Sequence, residues 1–302
     1  MTVDDRSRVL VAGSVSLDEN RVGRRVFRKL GGVCTYAGLT YAREGLTTTV
    51  VTNAAPGDAR LLRALADRGL TLHVGPAGRT TAFVNRVGRS GRRQSVTALA
   101  PPIAYAALAA SAAASAWAHL GPLHPDDLRA EVYDRLAERR VPVVLDIQGL
   151  VRRVHDGQVV PCASPLLPNA LRSAAVVKSS ESEARVATRA LAGDIETLME
   201  RFQIAEWVVT RGARGGSIHA RGAAAVDYPA EPSDLRDPTG AGDVFLAAYT
   251  AERLARRAPV AQAAQRAAAT AARQVSGAHI AFSDLQILDL PDGRPAVEHL
   301  PD

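Results

Sequence analysis

Short apolar runs alternate with amphipathic stretches along most of the chain. Residues 9–13 form an uninterrupted apolar run, which predicts a strand buried on both faces. A helix is expected from Gly31-Gly32 to about Arg43, a strand at 47–53, a helix at 59–68 and a short strand at 71–74. Residues 80–98 change character: they are polar and β-prone, with turn signals at Gly88 and Gly91, and read as a hairpin outside the main sheet. Beyond Ala104 the alternation is regular. Strands are expected at 115–120, 141–146, 174–178, 207–210 and 217–219, and helices at 125–139, 181–192, 195–202, 244–257 and 260–275. This order predicts an α/β fold, a doubly wound, mostly parallel sheet with helices on both faces, and no convincing domain boundary divides residues 1–302.

Composition narrows the function. The chain has 302 residues, of which 47% are hydrophobic, enough for a sizeable core. No apolar run reaches the ~18 residues of a membrane span, and residues 1–8 are polar where a leader would turn apolar, so a cytoplasmic protein is expected. Cys34 and Cys162 stand far apart and predict neither a disulfide framework nor a metal pair. The net charge of +6 admits nucleic acid as a partner. Yet the cations are arginines apart from Lys29 and Lys178, and the densest basic stretch, residues 86–93, carries no aromatic side chain for bases to stack on. A mild field that attracts a small polyanion is the simpler reading.

The chemistry concentrates in Asp237-Pro238-Thr239-Gly240-Ala241-Gly242-Asp243, followed by an apolar helix. Gly240 and Gly242 permit a tight turn and close approach of backbone to a ligand. The turn ends at a helix N-terminus, whose unpaired N–H groups and dipole favour phosphate oxygens. Asp243 sits at the same helix start. Donors for developing charge beside a carboxylate that deprotonates an alcohol are what phosphoryl transfer to a hydroxyl needs. A glycine-rich turn capped by Asp is the bland alternative for a bare G-x-G-D, but the seven-residue string is more specific.

That string resembles the second signature of the PfkB/ribokinase family of carbohydrate kinases, with Pro238 a minor variation. The resemblance implies a ribokinase-like fold with small β lid segments at about 16–30 and 78–98, Asp243 as catalytic base, and an anion hole from Gly240, Ala241 and Gly242. Gly31-Gly32 resembles the first signature, and Asp18 falls where the family grips substrate hydroxyls. Ser180-Glu181-Ser182-Glu183 resembles Asn-x-x-Glu, with Ser180 in place of Asn and Glu183 toward Mg²⁺. It is also a capping box. Residues 208–215 resemble the strand and turn beneath the nucleotide. The resemblance thus assigns Lys178, Ser180, Thr210, Gly212, Gly215, Asp237, Thr239 and Gly277 to the ATP side, and it leaves room for a monovalent cation such as K⁺ and for a homodimer through the lid strands.

Residues 144–152, residues 177–181 and the Asp-Pro-Thr form of the motif make the chain similar to the branch containing myo-inositol kinases. Asp146, Gln148 and Arg152 then end a strand where doubly wound sheets bind ligands, and a carboxylate with an amide suits a polyhydroxylated ring. Tyr36 stands where sugar kinases of the family often carry Asn, and Asn85 lies on the expected hairpin, so both are candidates to touch a small polyol substrate. The expected function is ATP-dependent phosphorylation of a cyclitol, aminocyclitol or sugar. Alternatives are a nucleoside or hexose kinase of the same family and an inactive member acting as a binding protein. A dinucleotide oxidoreductase would carry G-x-G-x-x-G after the first strand, and a P-loop enzyme Gly-Lys-Ser/Thr; neither is present.

Overall fold

The computed structural model describes residues 6–22, 25–88, 91–234, 236–287 and 297–299. Residues 23–24 and 89–90, within the two expected lid segments, lie outside these, as does most of 288–302. The larger sheet has nine strands in the order Val226–Tyr228, Gly216–Ala220, Glu206–Thr210, Ala174–Ser180, Val143–Asp146, Trp117–Leu120, Arg8–Ala12, Thr47–Ala54 and Leu70–Pro76. From Glu206–Thr210 to Leu70–Pro76 all neighbours are parallel, and the other two strands join antiparallel at the edge.

The two-residue period of a strand sorts the core. Val9 and Val11 belong to one apolar cluster, built with the helices Val33–Arg43, Ala241–Thr250 and Val260–Val275. Leu10 and Ala12 belong to the other, with Tyr105–Ala113, Ala130–Glu138, Leu167–Ser173 and Ile195–Phe202. Both faces of Arg8–Ala12 are therefore dry, which is why it reads as an unbroken apolar run. The chain winds outward from this strand in both directions. The order reverses between Arg8–Ala12 and Trp117–Leu120, the kind of crevice where such sheets bind ligands at the strands' C-terminal ends.

A second sheet has seven strands: Arg152–His155, Gln158–Pro161, Gly91–Ala98, Thr81–Gly88, Ser16–Val22, Arg25–Gly31 and Val297–His299. The hairpin expected at 80–98 is present and lies outside the main sheet. The sheet is larger than the expected small lid, because hairpin 152–161 joins it at one edge and Val297–His299 at the other.

Two helices are shorter than their patterns. Only Ala130–Glu138 of the stretch 125–139 is α-helical. Asp127 is instead a buried acceptor for the Ser14 N–H at 3.1 Å, the Ser14 hydroxyl at 2.6 Å and the Leu123 N–H at 2.7 Å, which holds residues before 130 in a turn. Ala241–Thr250 passes into one π turn, Ala251–Ala255, where Glu252 is buried against Arg256 and Arg266. Among the described residues no helix is long and apolar enough to cross a membrane, and Cys34 and Cys162 are both free thiols.

Leu145 is fully buried in the central strand Val143–Asp146. Leu145→Ala is expected to cost about 2–5 kcal/mol of stability, read from the shift of the urea unfolding midpoint.

Candidate active site

The helix Ala241–Thr250 begins at Gly240, a left-handed cap with φ 77° and no side chain closing its N-terminus. No capping hydroxyl or carboxylate takes its first-turn amides, although the Ala241 N–H reaches back to the Pro238 carbonyl at 3.3 Å. The turn before it is tied down on every side. The Thr239 N–H donates to Asp237 Oδ1 at 2.9 Å, and the N–H groups of Arg236 and Asp237 both donate to the Val275 carbonyl at 3.1 Å. The Lys29 ammonium takes the other Asp237 oxygen. Beneath Gly240 lies the ring of Tyr36, placed so that a Cβ at 240 would fall inside it.

Gly242 differs: a Cβ there would meet only the Lys178 ammonium, 3.0 Å away. Lys178 comes up from the strand Ala174–Ser180 and donates to Asp146 Oδ2 at 2.8 Å, while the Gln148 N–H donates to Asp146 Oδ1 at 2.9 Å. Asp146 is fully buried and Lys178 is 5% exposed. Burial pushes the Lys178 pKa down, but Asp146 above all, then Glu183 and Asp243, holds it above the ordinary range.

Asp243 lies half-buried in the helix's first turn, facing this pair. Burial pushes its carboxyl up to about 7; Asp146 pushes the same way, Lys178 opposes, and Glu183 and Arg152 make smaller contributions of opposite sign. A carboxylate poised near neutrality beside uncapped amides is suited to take a proton from an alcohol.

On the second-sheet side, Asp18 accepts the Ser16 hydroxyl at 2.8 Å, and its carboxylate lies over Gly31, where any Cβ would collide with it. Gly31 therefore seats Asp18. Gly32 has φ 87° and no room for a Cβ against the Ser14 carbonyl. Arg152 donates from Nε to the Leu123 carbonyl at 2.7 Å and from Nη1 to Gln94 at 3.1 Å, with its guanidinium 5.6 Å from the Phe83 ring centre. Gln94 donates to Asn85 at 2.9 Å and Asn85 to Asn20 at 3.0 Å, a polar ladder across the second sheet.

On the other side of the turn is a cavity of about 800 Å³, lined by Ser180, Thr210, Gly212, Gly215 and Gly242 at one end. Tyr228 and Phe245, stacked at 4.7 Å, form an apolar wall with Ala268, Ala271, Ala272 and Val275, and Arg185, Arg211 and Arg214 also line it. The buried Tyr228 hydroxyl has no hydrogen-bond partner among the described residues. The resemblance did not single out these aromatics or arginines; the only signal was their spacing along elements that converge in space.

Several expected positions are placed differently. Tyr36 is 1% exposed and supports the turn rather than opening toward an acceptor, because it lies on the buried face of Val33–Arg43. Asn85 is buried within the ladder. Asp146 is fully buried and bonded to Lys178 and the Gln148 N–H, and the Asp237 carboxylate is bonded to Lys29 and the Thr239 N–H. Gly277 is outside the cavity lining and ends Val260–Val275 as the left-handed glycine after its cap. Ser180 and Glu183 do form the capping box: the Ser180 N–H donates to Glu183 at 2.6 Å and the Glu183 N–H to the Ser180 hydroxyl at 3.3 Å. No group of three His, Cys, Asp or Glu among the described residues is arranged to hold a metal ion.

The model of the pfkB family carbohydrate kinases matches residues 42–284. Among curated proteins, the bifunctional protein HldE of Edwardsiella ictaluri is 35% identical over 106 residues, 35% of this chain and 20% of its own length. The chain thus spans only about a fifth of that relative. Among solved structures, a pyrophosphate-dependent kinase in the ribokinase family, complexed with a pyrophosphate analog and myo-inositol, superposes with TM-score 0.78 at 22% identity, over 88% of this chain and 94% of that one. Fructokinase from Xylella fastidiosa with bound ATP gives 0.75 at 18% identity, over 90% and 92%. At these identities the likeness is one of fold.

Gly240→Ala is expected to cost more stability than Gly242→Ala. The first meets a positive φ and an immovable ring, the second the mobile end of a lysine. Thermal melts of the two variants, compared with wild type, check the order.

Proposed function

Because the chain belongs to the pfkB family of carbohydrate kinases, we propose that it transfers the terminal phosphoryl group of ATP to a hydroxyl of a cyclitol or sugar, with Asp243 as the base. The observation that carries this reading is the meeting, at one helix start, of uncapped amides, a buried ammonium and a carboxyl pushed up to about 7. The amides of Gly240, Ala241 and Gly242, with Lys178, receive the charge of the transferred group; Asp243 takes the acceptor's proton. Asp146 holds Lys178 in place and keeps it charged.

The cavity beyond the turn fits a nucleotide. Its apolar wall is of a kind that takes a base, and Ser180, Thr210, Gly212 and Gly215 line it together with Gly242 of the turn. Mg²⁺ keeps several waters and binds through one or two carboxylates plus substrate phosphates, so a single carboxylate, Glu183, suffices where no three-residue cluster exists. When bound, the ion neutralises charge on the phosphates. On the acceptor side, Asp18 and Gln148 receive ring hydroxyls, and Arg152 with the Gln94–Asn85–Asn20 ladder shapes the wall. Support for a cyclitol comes from the myo-inositol held by the similar kinase.

A second donor reading has a specific observation behind it: that same kinase is pyrophosphate-dependent, and Arg185, Arg211 and Arg214 suit a compact polyanion. The apolar wall favours ATP, since pyrophosphate leaves it empty. A panel of myo-inositol, aminocyclitols, ribose, fructose phosphate and nucleosides, each tested with ATP and with pyrophosphate, decides donor and acceptor together. No turnover with any pair would defeat the kinase reading.

Asp243→Asn is expected to lower kcat by at least ~10³ with ATP binding nearly intact; near-normal turnover would remove Asp243 from its role. In the wild type, kcat/KM is expected to rise with pH through about 7 as the base ionises. Stability runs the other way. The folded carboxyl binds its proton more tightly than the unfolded one, so stability falls as pH rises from about 4 to about 7. Asp243→Asn should therefore melt above wild type at pH 8, with the gap closing toward pH 4.

A further inference from the structure

Two lysines stand among 37 basic residues, and both are buried at this site. Lys178 has its place in the reading above; Lys29 has none. It rises from the strand Arg25–Gly31 and is 2% exposed. Its ammonium is bonded to Asp237, 5.8 Å from the Tyr36 ring centre and 5.9 Å from that of Phe282. Across the antiparallel pair it stands opposite Asp18, and two residues on, Gly31 seats the Asp18 carboxylate.

Asp237 opens the phosphate-binding turn three residues before Gly240. Burial pushes its carboxyl up, but Lys29, with the Thr239 N–H, outweighs burial and holds it below the usual carboxylate range, ionised. An ionised carboxylate at the foot of an anion hole repels the anion the hole must receive, unless a cation cancels it. The ammonium sits near both rings as a compact point charge, which a planar, broader guanidinium does not reproduce. Arginine serves nearly everywhere else in the chain, even one residue away at Arg28, which sets the two buried lysines apart.

We propose that Lys29 is a positioning residue, a fixed counter-cation that neutralises Asp237 beneath the phosphate-binding turn. The proposal rests on the phosphotransferase reading of the site. It requires that donor affinity follow the charge balance of the Lys29–Asp237 pair and not merely its presence.

Calorimetric titration of ATP with Mg²⁺ into wild type, Lys29→Met, Lys29→Arg, Asp237→Asn and the double variant Lys29→Met/Asp237→Asn tests it, with melts to verify folding. Lys29→Met is expected to weaken ATP binding about tenfold or more, as an uncompensated charge near the ligand does. Lys29→Arg should be impaired too, and the double variant should bind more tightly than Lys29→Met, because the stranded carboxylate is gone. Asp237→Asn, which keeps the ammonium, should bind ATP no more weakly than wild type, whereas a purely structural salt bridge would lose affinity in either single variant. Wild-type affinity in Lys29→Met, a double variant no tighter than Lys29→Met, or tenfold weaker binding by Asp237→Asn each overturns the proposal; the last stands as a test even if Lys29→Met does not fold. A wild type that binds neither ATP nor pyrophosphate brings down the kinase reading itself, and this inference with it.

Discussion

Burying a charge costs several kcal/mol unless an opposite charge is buried with it in good geometry. The site is arranged around that constraint. Two ammonium groups and two carboxylates flank the glycine-rich turn, Lys178 with Asp146 on the main-sheet side and Lys29 with Asp237 on the second-sheet side. Each pair is closed by a backbone N–H, from Gln148 to Asp146 and from Thr239 to Asp237. With these four charges balanced, Asp243 is the carboxyl left to respond to its surroundings, and burial lifts it toward neutrality.

The two sheets divide the work. The parallel sheet delivers Asp146, Lys178, Ser180 and Thr210 at the C-terminal ends of neighbouring strands. The second sheet contributes Asp18, Lys29 and the Asn20–Asn85–Gln94 ladder that ends on Arg152. The glycine-rich turn is touched from both sides, so its geometry depends on how the sheets are seated against each other.

The sequence carried much of this. Continuous apolar runs marked the parallel strands because both their faces are dry, and the string from Asp237 to Asp243 marked the turn because few backbones other than glycine fit over an aromatic ring at φ 77°. What stayed hidden is long-range pairing. Nothing local in Arg152–His155 or Gln158–Pro161 says that they extend a sheet begun at Ser16, and nothing near Tyr36 says that its ring turns inward under Gly240. The lysine partners of Asp146 and Asp237 were equally hidden, because a carboxylate's partner is chosen in space and each lies tens to hundreds of residues away. Gly277 also serves locally, as the left-handed glycine that follows the cap of Val260–Val275.

The contact between Tyr36 and Gly240 has a kinetic meaning. A loop that orders only around its ligand gives up conformational entropy at every binding event, which weakens affinity and slows capture. Here the ring fills the space a collapsing turn would use, and the turn is pinned at both ends, so that entropy is lost once, when the chain folds. A ligand that binds at this turn should then dock onto a rigid surface, leaving any induced rearrangement to the rest of the cleft.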